Sequence, residues 1–135
     1  MKNRAEGKIV KLPVFDSSTG RLFAVQHGEQ HLFDFKRVFF IEGNSGSKRG
    51  QHAHRESTQW LSLLKGDIKV KLMDGESHKL ISSLKFGELL IVEAGIWVEI
   101  DFLEESVVAV GTNTLYKEAD YLRDWSDYLE FRGIQ

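Results

Sequence analysis

In the stretch DIKVKLMDG (67–75), Ile68, Val70 and Leu72 alternate with Lys69 and Lys71, so apolar and charged side chains leave the chain on opposite sides. A period of two is the mark of a strand with one face in a core and the other in water. Comparable short apolar runs recur along the chain: GKIVKLPVF, RLFAVQ (21–26), FKRVFFIEG (35–43), TQWLSLLKG (58–66), HKLISSL (78–84), ELLIVEAG (88–95), WVEIDF (97–102) and SVVAVGT (106–112). Lys65-Gly66 and Asp74-Gly75 fall between runs, where glycine tolerates the positive φ of a tight turn. About ten strands at roughly 8–12-residue spacing predict an all-β antiparallel sandwich or small barrel. Only the end of the chain changes period. From Tyr121 onward, Leu122, Trp125, Tyr128 and Leu129 recur at three- and four-residue intervals, which predicts a short amphipathic C-terminal helix.

Composition narrows the class. The 135 residues suit one domain, 1–135, and 41% hydrophobic with 28% charged residues is ordinary globular usage. A net charge of −2 without a basic run argues against nucleic acid or an anionic membrane as partner. No apolar stretch approaches the ~20 residues of a bilayer span, and the N-terminus lacks the apolar block of a secretory signal. The absence of cysteine removes disulfides and thiol catalysis and fits a cytoplasmic protein.

The segment RGQHAHREST (49–58) concentrates the candidate chemistry, because His52 and His54, two apart on an extended chain, share a face. Such a pair can be half of a metal site, a proton-transfer pair, or packing. A metal needs a third or fourth ligand. Glu56 sits near a turn, Gln59 is a poor ligand, and GELLIVEAGIWVEIDF holds no histidine beside Glu93 and Glu99, so no metal is expected. For proton transfer the residue type is apt, since imidazole titrates near pH 6.5 and can both take and return a proton. His27, His31 and His78 lack such a context and are expected to be structural, as are Trp60 and Trp125 in packing.

Gly50, His52, His54, Gln59 and Gly66 resemble the first cupin motif, with glutamine where the metal-binding acid belongs. Gly87, Glu93, Gly95 and Val98 resemble the second, with its proline and histidine replaced. The stretches KRVFFI (36–41), RGQHAH (49–54), KGDIKVKLMDG (65–75), GIWVEI (95–100) and LYKEADYLRDWSDYLEF (115–131) narrow the resemblance to the sugar 3,4-ketoisomerases, over about residues 35 to 131. That resemblance implies a cupin double-stranded β-helix (a jelly-roll barrel), free of metal and cofactor. It implies a homodimer with N-terminal strands, about 8–26, at the interface. The implied activity moves the keto group of a dTDP-linked 4-keto-6-deoxyhexose from C4 to C3 in deoxy-amino-sugar biosynthesis for surface glycans such as O-antigen. On that basis His52 is expected as base, His54 as second proton carrier or sugar-positioning group, and Arg49, Arg37, Gln59 and Gly50 as substrate-binding residues. Two departures stand out: Val98 where ketoisomerases commonly carry histidine, and Phe39 and Phe40 where a tyrosine is common. They leave a catalytically impaired nucleotide-sugar binder as one alternative, and a metal-dependent cupin as another.

Overall fold

The computed structural model describes residues 3–28, 32–76 and 79–134. Its elements, in chain order, are β1 (Lys8–Lys11), β2 (Phe15–Ser17), β3 (Gly20–Leu22), β4 (Arg37–Gly43), β5 (Lys48–His54), β6 (Gln59–Lys65), β7 (Ile68–Met73), β8 (Lys79–Ser83), β9 (Glu88–Val92), β10 (Trp97–Phe102), β11 (Ser106–Thr112), a 3-10 turn (Glu118–Asp120), β12 (Tyr121–Leu122) and α1 (Trp125–Arg132). Two five-stranded antiparallel sheets, ordered β1-β9-β6-β11-β4 and β12-β5-β10-β7-β8, make the expected jelly roll, and β2-β3 form a separate hairpin.

Alternation explains the core. Ile68, Val70 and Leu72 from β7 and Val98, Ile100 and Phe102 from β10 meet Leu61, Leu63, Val108 and Val110 from the other sheet. Burying each such side chain contributes about 1.5–3 kcal/mol before the cost of ordering the chain. The run 21–26 is a strand only through Leu22; Phe23 and Val25 instead lay their side chains over Trp60 on the outer face of the first sheet. Trp60 is buried there against Phe35 at 5.7 Å, a packing role as expected.

At the C-terminal end the expectation needs correction. Tyr121 and Leu122 are not helical but pair with His54 and Ala53, closing the edge of the second sheet beyond β5. The helix begins only at Trp125, because the Asp124 side chain accepts from the Asp127 N–H and caps it. Trp125 packs on Trp97 (5.1 Å) and Tyr128 (5.3 Å) and remains 39% exposed. Tyr128 is fully buried and donates to the Gly95 carbonyl at 2.7 Å; Arg132, also buried, donates to the same oxygen at 3.2 Å. The Gly95 N–H in turn donates to the His54 carbonyl at 2.7 Å. The helix therefore grips the turn before β10, and that turn grips the end of β5.

Candidate active site

Strand β5 carries both central histidines, and a bulge aims them. Val98 of β10 stands opposite His52 and Glu99 opposite Gly50, so Gln51 is one residue too many for the ladder. Gly50 and Gln51 both adopt positive φ, 83° and 55°. A side chain at Gly50 would put its Cβ 2.8 Å from the Val98 carbonyl oxygen, so only glycine fits. The turned-in carbonyl of Gly50 then faces Nδ1 of His52 at 3.0 Å. Nδ1 must carry the proton, because a carbonyl can only accept, and the lone pair of the neutral ring is left on Nε2. Burial, with the neighbouring His54 next in importance, pushes the His52 pKa down to about 4.

His54 is held differently. Its Nδ1 lies 2.8 Å from the Asp120 carboxylate and donates to it, while its Nε2 lies 3.1 Å from the Gln59 amide nitrogen and accepts from it. Both ring nitrogens are thus engaged, and the ring is 4% exposed. Asp120 also accepts from the Ser57 hydroxyl and the Glu56 N–H. Burial pushes the Asp120 carboxyl up, but the bonds from Ser57, His54 and Glu56 prevail and hold it below its ordinary range. For His54 the balance goes the other way: burial outweighs the attraction of Asp120, and the imidazole favours its neutral form.

Tyr121 covers both imidazoles, its ring 5.1 Å from that of His52 and 4.3 Å from that of His54. Arg37, half-buried at the start of β4, donates to the Tyr121 hydroxyl at 3.4 Å. Its guanidinium lies 5.2 Å from the centre of the Phe39 ring and 5.3 Å from that of Tyr116, and its buried Nε has no hydrogen-bond partner among the described residues. Outside this layer, Arg123 lies over Tyr121 at 4.3 Å and forms a two-pronged pair with Glu118, which also accepts from Tyr116. Arg123 and then Tyr116 hold the Glu118 carboxyl down at about 2.

The fold thus brings together His52, His54, Gly50, Gln59 and Arg37. Arg49 lies beyond the bulge, exposed and without a polar partner among the described residues. Val98 is buried in the apolar core beside His52. His27 is a surface residue paired with Asp34 at 3.1 Å, and His31 and His78 lie outside the described residues. Among the described residues, no group of three His, Asp or Glu side chains is placed to hold a metal ion. No local spacing marks Asp120 and Tyr121 as site residues; in the sequence, only their place in the tail YKEADYLR (116–123) hints at them.

Along most of its length the chain is similar to known proteins. A family model described as FdtA: WxcM-like, C-terminal matches residues 5–133. A TDP-4-oxo-6-deoxy-alpha-D-glucose-3,4-oxoisomerase of Aneurinibacillus thermoaerophilus is 30% identical over 128 residues, 93% of this chain and 92% of that protein. A 3,4-ketoisomerase from Helicobacter canadensis superposes with a TM-score of 0.87 at 25% identity, covering 95% of this chain and 98% of its own. A histidine-to-asparagine mutant of the ketoisomerase QdtA from Thermoanaerobacterium thermosaccharolyticum, solved with TDP-4-keto-6-deoxyglucose, gives 0.85 at 25% identity over 92% and 91% of the two chains.

Proposed function

The chain belongs to the FdtA family of WxcM-like domains, and from that membership we propose that it is a sugar 3,4-ketoisomerase acting on a TDP-linked 4-keto-6-deoxyhexose. The observation that carries the chemistry is His52, neutral, anchored through Nδ1 to the Gly50 carbonyl and left with the Nε2 lone pair free to take a proton. The hydrogen on C3 is α to the C4 ketone and becomes acidic once charge on the developing enediolate is stabilised. His52 removes that proton as general base. His54, locked between Asp120 and Gln59, forms the wall against which the sugar is positioned. Gln59 retains a second N–H and its carbonyl oxygen for a sugar hydroxyl. Arg37 and Arg49 are the cations for the pyrophosphate, since guanidinium binds phosphate oxygens through charge-assisted bonds.

Incubation with TDP-4-keto-6-deoxyglucose in D2O, followed by NMR, tests the reading. Deuterium at C3 or C4 and a 3-keto product are expected; an unchanged sugar sinks it. Binding without exchange would favour the second reading, a nucleotide-sugar binder that has lost its chemistry, for which the apolar Val98 is the supporting observation.

The working unit is a homodimer. Leu22, Phe23, Val38, Phe40, Trp60 and Phe86 line an apolar groove of about 380 Å³ on the outer sheet, with Phe40 68% exposed. An apolar face of this kind favours a covering partner. A purified chain that sediments as a monomer at working concentration would refute this. No helix among the described residues is long and apolar enough to cross a membrane. A TDP-sugar substrate supports a cytoplasmic role in deoxy-amino-sugar synthesis.

A further inference from the structure

Moving a ketone from C4 to C3 transfers two hydrogens, one between carbons and one between oxygens. His52 can manage the first. The second needs another group, and the two obvious candidates fail: position 98 holds valine, and both nitrogens of His54 are already bonded.

Among the described residues of the site, the Tyr121 hydroxyl remains. Tyr121 receives an N–H from Arg37 at 3.4 Å, yet among the described residues its own proton has no acceptor. The neighbouring Tyr116 contrasts with it, because the Tyr116 hydroxyl already donates to Glu118. The Tyr121 ring lies against both imidazoles and its hydroxyl stands beside the Arg37 guanidinium, so the phenol is part of the layer that covers the base. A guanidinium beside a phenol oxygen stabilises the phenolate that proton donation leaves behind.

Resting on the ketoisomerase reading above, we infer that Tyr121 is the second catalytic residue, shuttling a proton between the C4 and C3 oxygens while His52 shuttles one between the carbons. Nε2 of His52 takes hydrogen from C3 as a proton. The C–H electron pair becomes a C3–C4 double bond, and the carbonyl π pair moves to the C4 oxygen, which takes the Tyr121 proton. The resulting neutral enediol then runs the sequence in reverse at the other carbon. Tyrosinate removes the proton from the C3 hydroxyl, the C3 carbonyl forms, and the double-bond pair takes the proton from the His52 imidazolium at C4. Both side chains finish as they began, with no oxidant and no outside proton. Position 98 then needs no titratable group.

Tyr121→Phe keeps the ring and removes only the hydroxyl. With TDP-4-keto-6-deoxyglucose, kcat is expected to fall ~10²–10⁴-fold, with Kd for the sugar nucleotide within about threefold of the parent. Placing 3-fluorotyrosine at 121 keeps the shape and makes the hydroxyl more acidic, so the alkaline limb of kcat should move to lower pH. A Phe variant with parental kcat, a loss confined to binding, or an alkaline limb unmoved by fluorination would each overturn the assignment. The parent enzyme decides the broader reading: if it turns over no ketosugar, that reading and this inference both fail, whereas an active parent with an equally active Phe variant removes Tyr121 alone.

Discussion

The Gln59 amide nitrogen caps Nε2 of His54 at 3.1 Å, so the side chain standing where the cupin motif carries an acidic ligand instead occupies the imidazole's lone pair. With Asp120 on the opposite nitrogen, His54 is held as a neutral, oriented ring. Gln59→Glu would place the ring between two carboxylates. The His54 pKa is then expected to rise, because a second carboxylate favours the charged ring, as read by NMR titration of the imidazole nitrogens. An unmoved titration would show that Gln59 does not contact the ring.

His52→Asn removes the proposed base while keeping a polar side chain of similar reach. Turnover and C3 exchange should fall by ~10²–10⁴-fold or more. Stability should change by less than about 1 kcal/mol, because the half-buried ring fills no core position. Full activity in this variant would remove His52 from the mechanism.

The depressed pKa of His52 sets an acid profile. The base must be neutral, so the acid limb of kcat/KM is expected near pH 4 rather than near 6.5, with activity largely retained at pH 5.5. The effect on folding has a defined sign. The unfolded chain binds this proton at a higher pH than the native one does, so the contribution is fully present above about 6.5 and is lost as pH falls from there towards 4. An activity profile halving near pH 6.5 would show that the ring is solvated.

Gly50→Ala tests the bulge. The added methyl meets the Val98 carbonyl oxygen at 2.8 Å in a positive-φ residue. A loss of ~1–3 kcal/mol in denaturant unfolding is expected. Activity should fall further than stability accounts for, since the Gly50 carbonyl orients the base.

Val98→His restores the residue that related enzymes commonly carry. Here the position is 3% exposed and sits in the apolar core, opposite Leu72 of β7. Melting should drop, at a cost of about 1–3 kcal/mol for an imidazole without a partner. The rate should not rise, because Tyr121 already moves the second proton; a large gain in kcat would contradict that assignment.

Much of the barrel was legible because β6 to β11 show period-two or continuous apolar runs with glycine at their ends. The histidine pair was legible for the same reason, as spacing on a strand determines which side chains share a face. The rest depended on long-range contacts. Tyr121 and Leu122 fit a helical period with Trp125 and Tyr128, and only pairing with β5 makes them a strand. Asp120 reaches His54 across 66 residues of chain, which no local pattern encodes. The bulge likewise arises from the unequal match between β5 and β10, so the Gly50 carbonyl could not be identified as the partner of His52 from sequence alone.

The grip of Tyr128 and Arg132 on Gly95, passed on to the His54 carbonyl, makes the tail of the polypeptide a brace for the reacting centre. Substitutions that empty the Tyr128 or Arg132 position would release the Gly95 carbonyl and slacken the strand that carries both imidazoles. Damage to this helix would then register in turnover as well as in stability, although none of its side chains carries a proton in the reaction.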